Sequence, residues 1–296
     1  MMPPMPGLLR ARMAVVGHVE WADMLVVDRV PRPGEIRDAR EFSAVAAGSG
    51  SVAAVQMAKL TGGATFFTAL AEDGPGRASG AQLRAEGVVV YEGVRRPPQR
   101  RGFVHLDDDG ERTITILGDR LVPHGDDPLP WDVLDGIDGV YVTGGDAGAI
   151  AAARRARWLV VTPRVGETLH EAGVRVDVLI HSGKDDRERL VAEQLDPSPR
   201  IVVTTLGGDG GRWSGELGEG TWPPEPLPGP RVDAYGAGDS FAAGLTTGLA
   251  GGLPIDEAVR LGARCGAACM TGRGPYTAQL DLRDLEPAGS TVPGEG

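Results

Sequence analysis

Runs of consecutive apolar residues recur along the chain at 13–17, 64–70, 88–91, 139–143, 158–162, 177–180 and 200–205. A strand that is apolar on both faces must be covered on both faces, which is the condition of a parallel sheet between helices. The stretches between many of these runs carry apolar residues at helical spacing. At 51–60, Val52, Val55, Ala58 and Leu60 share a side, and helices are also expected at 77–86, 147–156, 184–195, 237–250 and 255–271. The alternation predicts an α/β fold, a three-layer arrangement with a mostly parallel sheet and helices on both faces.

Two segments, 19–45 and 100–120, break this rhythm. They are poor in helix formers and alternate apolar with polar residues. Residues 102–117 read as a hairpin turning at Asp108-Asp109-Gly110. Together the segments predict a small β-sheet lid over the carboxyl ends of the main strands, where open α/β sheets bind ligands. The stretch 223–230 holds five prolines, which excludes helix and predicts an extended connector. These boundaries give one domain over 13–276, with tails at 1–12 and 277–296.

Composition narrows the function. The 296 residues include 30 Lys and Arg against 41 Asp and Glu, a net charge of −11. Such a surface repels nucleic acid and anionic membrane, so neither is an expected partner. A small anion needs only local N–H groups and a cation, so it remains compatible. The two cysteines, Cys265 and Cys269, fall on one helix face with no further ligand beside them, so they are expected to be packed core thiols rather than a zinc site. Low cysteine use fits a reducing cytoplasm. No apolar run near the start has the length of a secretory signal, and none approaches a membrane span.

The most informative stretch is 231–245. Gly236-Ala237-Gly238 is a small-residue turn that opens a helix. The unpaired N–H groups of a first helical turn, with the positive end of the dipole behind them, stabilise a phosphoryl group as its charge redistributes. Asp239 sits where those groups point and has the chemistry of a general base for an attacking hydroxyl. Taken alone, the four residues are equally an ordinary loop with a capping Asp.

The wider sequence resembles the ribokinase-like (PfkB) carbohydrate kinases from residue 13 to about 275. Asp233-Ala-Tyr-Gly-Ala-Gly-Asp239-Ser-Phe241 is similar to the family's C-terminal signature, and Pro31-Arg-Pro-Gly-Glu35 to its Pro-x-Pro-Gly-Glu. Ala47-Gly-Ser-Gly-Ser-Val52 falls at its glycine-rich substrate loop, residues 68–76 at its Gly-x-Asp-x-x-Gly segment, and Thr205-x-Gly207-x-x-Gly210 at its nucleotide loop. The resemblance implies transfer of the γ-phosphate of ATP to a hydroxyl of a small polyol, most naturally a sugar. Asp239 then matches the catalytic base, Gly236, Ala237 and Gly238 the anion hole, and Thr205, Gly207 and Gly210 the nucleotide contacts. It implies Mg²⁺, handled through water by Asp185, and in some members a potassium ion near Asp233. It also implies a homodimer formed through the lid.

The sugar side departs from the family. Its Asn and Asp after the first strand fall on Glu20 and Ala22, with Asp23 next; Glu20 and Asp23 are therefore the expected acceptor ligands. In the glycine-rich loop, Gly48, Ser49 and Gly50 are expected to meet the acceptor, but Ser49 replaces the family's Lys and Val52 its Asn. The magnesium motif Asn-x-x-Glu falls on Ser182-Gly183-Lys184-Asp185. Arg112 and Arg164 are left unassigned, since a lone surface arginine seldom has a ligand. Two alternatives stay open: a nucleoside kinase that clamps a base between Trp21, Phe42 and Phe103, and a binding protein of the same fold without catalysis.

Overall fold

The computed structural model describes residues 7–108 and 112–285. In chain order, β1 (Met13–Val16) leads into β2 (Glu20–Val26) and β3 (Glu41–Ala47) before the first helix, α1 (Ser49–Thr61). Next come β4 (Ala64–Ala71), α2 (Gly74–Ala85) and β5 (Val88–Arg95), followed by β6 (Arg101–Leu106) and β7 (Arg112–Leu117). Then follow β8 (Gly139–Val142), α3 (Ala147–Ala153), β9 (Trp158–Val161), α4 (Gly166–Ala172), β10 (Val178–Ser182), α5 (Asp186–Gln194) and β11 (Ile201–Thr205). The hairpin β12 (Gly211–Gly215) and β13 (Gly218–Trp222) precedes α6 (Ala237–Ala250) and α7 (Ile255–Cys269).

The main sheet has nine strands in the order β13-β12-β11-β10-β9-β8-β1-β4-β5. The seven from β11 to β5 are mutually parallel, and the hairpin closes one edge antiparallel. The unbroken apolar character of β1 has a direct cause. Met13 and Val15 enter the core under α1, α6 and α7, whereas Ala14 and Val16 enter a second core with α3 and α4. Every residue of the strand is thus buried. The second sheet, β3-β2-β6-β7, is the lid. It springs from the middle of the main sheet, because β2 starts three residues after β1 and β3 runs into α1.

Helices α6 and α7 pack closely enough that side chains are excluded between them. A Cβ on Gly244 would lie 2.7 Å from Cys265 Sγ, and one on Gly262 2.7 Å from the Phe241 carbonyl. Both cysteines are buried and free, as small core residues.

The structure corrects three expectations. Helix α4 and the β12–β13 hairpin were not foreseen, the hairpin because Gly211, Gly215, Gly218 and Gly220 dilute any strand pattern. The tails are not loose where described. Leu8 is 1% exposed and packs with Leu60 and Leu261, and Gln279 donates to the Val52 carbonyl (2.9 Å) and Ser240 Oγ (3.2 Å). The 13–276 boundary therefore cuts through packed structure. The hairpin flanks pair as expected, Leu106 opposite Arg112, while the turn at 109–111 lies outside the described residues. Among the described residues no helix is long and apolar enough to cross a membrane.

Candidate active site

The carboxyl ends of five parallel strands converge under the lid. They deliver His18 after β1, Thr143 after β8, Arg164 after β9, residues 182–185 at the end of β10, and 205–207 at the end of β11. β1 and β8 lie at the point where the chain order of the sheet reverses, which opens a crevice between the following loops.

The first turn of α6 faces this crevice. Its N-cap, Gly236, has φ +81°, and a Cβ there would lie 2.8 Å from Val52 Cγ1, so both backbone and space demand glycine. No side chain caps the helix. A Cβ on Gly238 would meet nothing within 4 Å, so this turn is open to a ligand.

Asp239 is in that first turn. Burial pushes its carboxyl above the ordinary range, and this outweighs the opposing pull of Arg164, Ser49 and Arg112. Arg164 Nη1 donates to Ser49 Oγ (3.0 Å), which places the Ser49 hydroxyl and the Arg164 cation together beside the carboxylate and in the cavity wall. Below it, burial raises the phenol of Tyr141 and keeps it neutral.

A cavity of about 330 Å³ opens beside Asp239, large enough for a monosaccharide derivative. Gly48, Ser49, Gly236, Gly238 and Glu20 are among the residues that line it. Burial alone would raise the Glu20 carboxyl, but contacts with His18 and Arg100 hold it down at about 2. The Arg100 bond is the strong one, Nε to Oε1 at 2.7 Å, whereas His18 Nε2 stands 3.6 Å away. Burial lowers His18 and keeps it neutral.

Asp23 is not among the lining residues. Its carboxylate is 5% exposed and accepts from Arg101 Nε (3.2 Å) and Nη2 (2.6 Å), because strand alternation turns it away from Glu20. Gly50 lies under the loop instead, where a Cβ would meet the Phe66 ring at 2.7 Å. Trp21, Phe42 and Phe103 are absent from the lining, and Phe42 is 65% exposed. These three therefore form no clamp for a flat base at this cavity. A larger cleft of about 460 Å³, beside Lys59, Glu86 and Arg273, shares no lining residue with this cavity.

The loop after β11 turns at Gly207 (φ +61°) and Gly210 (φ +80°). Lys184 bridges to Asp209 across it at 2.9 Å, and Gly183 N donates to the Thr205 carbonyl (2.9 Å). Gly262 and Gly266 of α7 face α6. Asp185 caps α5 by accepting from Arg187 N (2.9 Å). Glu188, one turn on, reaches back to Ser182 N (2.8 Å) and stands 3.6 Å from Arg164 Nε. Asp233 is 1% exposed and accepts from Tyr235 N (2.8 Å) and Gly274 N (3.1 Å). These bonds account for Asp233 as a turn anchor without a cation.

A protein of Halopiger xanaduensis named ATP-dependent ribose-1-phosphate kinase is 30% identical over 276 residues, 86% of this chain and 90% of that protein. The chain belongs to the PfkB family of carbohydrate kinases. The family model for pfkB family carbohydrate kinases matches residues 168–281. An Arabidopsis thaliana ribokinase is 24% identical over 312 residues, covering 92% of this chain and 79% of the relative. In three dimensions the chain superposes on a Thermotoga maritima ribokinase with a TM-score of 0.76 at 21% identity, over 93% of this chain and 98% of that one. This PfkB kinase is accordingly a phosphotransferase with the ribokinase fold.

Four arginines distinguish the pocket of this PfkB kinase, and sequence reasoning assigned none of them. Arg100 and Arg120 went unnoticed, and Arg112 and Arg164 were set aside. Glu188, one turn after Asp185 and 3.6 Å from Arg164 Nε, was not singled out either. Each comes from a different loop or strand, so no local pattern announced them; the clustering of arginine at the two ends of the expected lid segment 100–120 was the available signal.

Proposed function

We propose that this chain transfers the γ-phosphoryl group of ATP to a hydroxyl of a small sugar, with Asp239 as the general base. The observation that carries the reading is a carboxylate raised by burial in the first turn of an uncapped helix, beside a cavity of sugar size. Asp239 accepts the hydroxyl proton as the oxygen attacks. The N–H groups at Gly236, Ala237 and Gly238 receive the transferring phosphoryl, and Arg164 neutralises part of its charge. Ser49 keeps the carboxylate aimed. Glu20, ionised and braced by Arg100, accepts from sugar hydroxyls. The lid over the cavity excludes water that would otherwise take the phosphoryl group.

The adenine nucleotide lies along Thr205, Gly207 and Gly210. Asp185 and Glu188 fit a magnesium ion, which keeps several waters and takes one or two carboxylates beside phosphate oxygens. When bound it would neutralise charge on the β- and γ-phosphates. The absence of an aromatic clamp favours a sugar over a nucleoside, and Asp239 with its open turn favours catalysis over binding alone.

The test is acceptor-dependent ADP release over a panel of pentoses, hexoses, their phosphates and nucleosides. The reading requires a saturable sugar acceptor; a nucleoside saturating alone, or ADP release indifferent to every acceptor, contradicts it. For the nucleotide site, Gly208→Val is the clean probe, since a Cβ there meets nothing within 4 Å. It is expected to raise KM for ATP about tenfold with thermal stability unchanged. An unaltered KM moves the nucleotide off this loop.

A further inference from the structure

Four guanidinium groups, those of Arg100, Arg112, Arg120 and Arg164, line the cavity against two carboxylates, Glu20 and Asp239, while His18 is neutral. Among the residues that line the cavity, cations outnumber carboxylates by two, with Glu188 outside the lining 3.6 Å from Arg164 Nε, in a chain whose net charge is −11. This concentration is local: partial burial and then the like charges of Arg100 and Arg164 act against the Arg120 cation, which stays exposed at the lid edge.

The arginines divide by what already holds them. Arg100 is engaged with Glu20 and with the Gly118 carbonyl (3.0 Å). Arg164 is engaged with Ser49 and Glu188 and stands at the transfer end, beside Asp239. Arg112 lies over the Tyr235 ring, 5.3 Å from its centroid, and has no carboxylate partner among the described residues. Arg120 has neither hydrogen bond nor ion pair among the described residues. These last two come from the start of β7 and the chain just after it, an exposed lid edge on the acceptor side of the pocket.

We propose that the acceptor carries its own phosphate group, gripped by Arg112 and Arg120 beneath the lid edge, so that the substrate class is a sugar phosphate monoester. This deepens the kinase reading and rests on it. A phosphate dianion suits two guanidinium groups that no carboxylate holds, and its three terminal oxygens match two forked donors in geometry; a sugar carboxylate brings one charge and two oxygens. The phosphate is a handle and takes no part in bond making. Its contacts draw β7 onto the substrate, which ties lid closure to the correct acceptor. A free sugar leaves both guanidinium groups facing a closed cavity without a counter-ion, so it is rejected.

The experiment compares ribose 1-phosphate, ribose 5-phosphate, free ribose and a sugar acid, gluconate, as acceptors for the wild type and for Arg112→Ala, Arg120→Ala and the double variant. The wild type is expected to prefer a pentose phosphate over free ribose by at least about a hundredfold in kcat/KM, and the double variant to reduce that ratio by roughly 30- to 100-fold. KM for ATP should stay within about twofold, because the transfer end keeps Arg164. Equal use of free ribose and pentose phosphates overturns the inference and leaves the kinase reading intact, as does a preference for gluconate. A loss seen in KM for ATP instead assigns the arginines to the nucleotide and also overturns it. Calorimetric titration with the pentose phosphates, without ATP, gives a readout independent of turnover. Binding lost in the double variant upholds the phosphate site even if the transfer reaction fails, and no binding to the wild type removes it.

Discussion

Asp239→Asn is expected to lower kcat by at least about a hundredfold, roughly 3 kcal/mol of barrier, with KM for ATP little changed. The amide keeps the size of the side chain and its place beside Ser49, but it cannot take a proton. The stability effect has the opposite sign to that of a structural capping residue. Burial raises the Asp239 carboxyl above its unfolded value, so the folded chain binds that proton more tightly than the unfolded one. Stability from this group is therefore present below the unfolded pKa and is lost as pH rises through the folded pKa. At neutral pH the ionised side chain costs stability, and its replacement by Asn should leave the melting temperature equal or higher. The same shift sets the pH profile. In the wild type kcat/KM should fall on the acid side with an apparent pKa above that of an ordinary aspartate, and this limb should vanish in the variant. A lower melting temperature with turnover per folded molecule preserved would instead mark Asp239 as a cap.

Gly236→Ala is expected to damage fold and catalysis together. The residue sits at φ +81°, which costs an L side chain about 1–2 kcal/mol. The added Cβ also lies 2.8 Å from Val52 Cγ1, an overlap worth a further ~1–3 kcal/mol. A melting temperature lower by about 5–10 °C follows. Turnover should fall beyond the loss of folded protein, because the first turn of α6 moves away from Asp239's partners. Adding Val52→Ala removes the overlap and leaves the dihedral strain, so the double variant should recover part of the stability and little of the activity. Full recovery of both would show that the positive φ is dispensable.

What the sequence disclosed and what it concealed follow from where the site residues lie along the chain. The proposed anion turn and base occupy consecutive positions, 236–239, at a helix start, so strand, turn and helix patterns locate them together. The parallel sheet was legible because β1, β8 and β9 are apolar at nearly every position, each face meeting its own core. The acceptor side was not legible. Arg100, Arg112, Arg120 and Arg164 become a group only when the lid folds over the ends of β1 and β9. Asp23 looked as good as Glu20 in one dimension, yet the two point to opposite sides of β2, and Asp23 is consumed by Arg101. Asp185 matched a motif position, whereas Glu188, without a motif, is the acid beside Arg164.

The central claim is phosphoryl transfer from ATP to a sugar hydroxyl through Asp239. It is tested most directly by following the label of γ-³²P-ATP into the pentose, or pentose phosphate, that saturates ADP release. The account predicts label on the acceptor in the wild type, in step with ADP, and an initial rate of labelling at least about a hundredfold lower with Asp239→Asn at equal folded protein. Label released only as inorganic phosphate, or equal labelling of the acceptor by the two proteins, would contradict it.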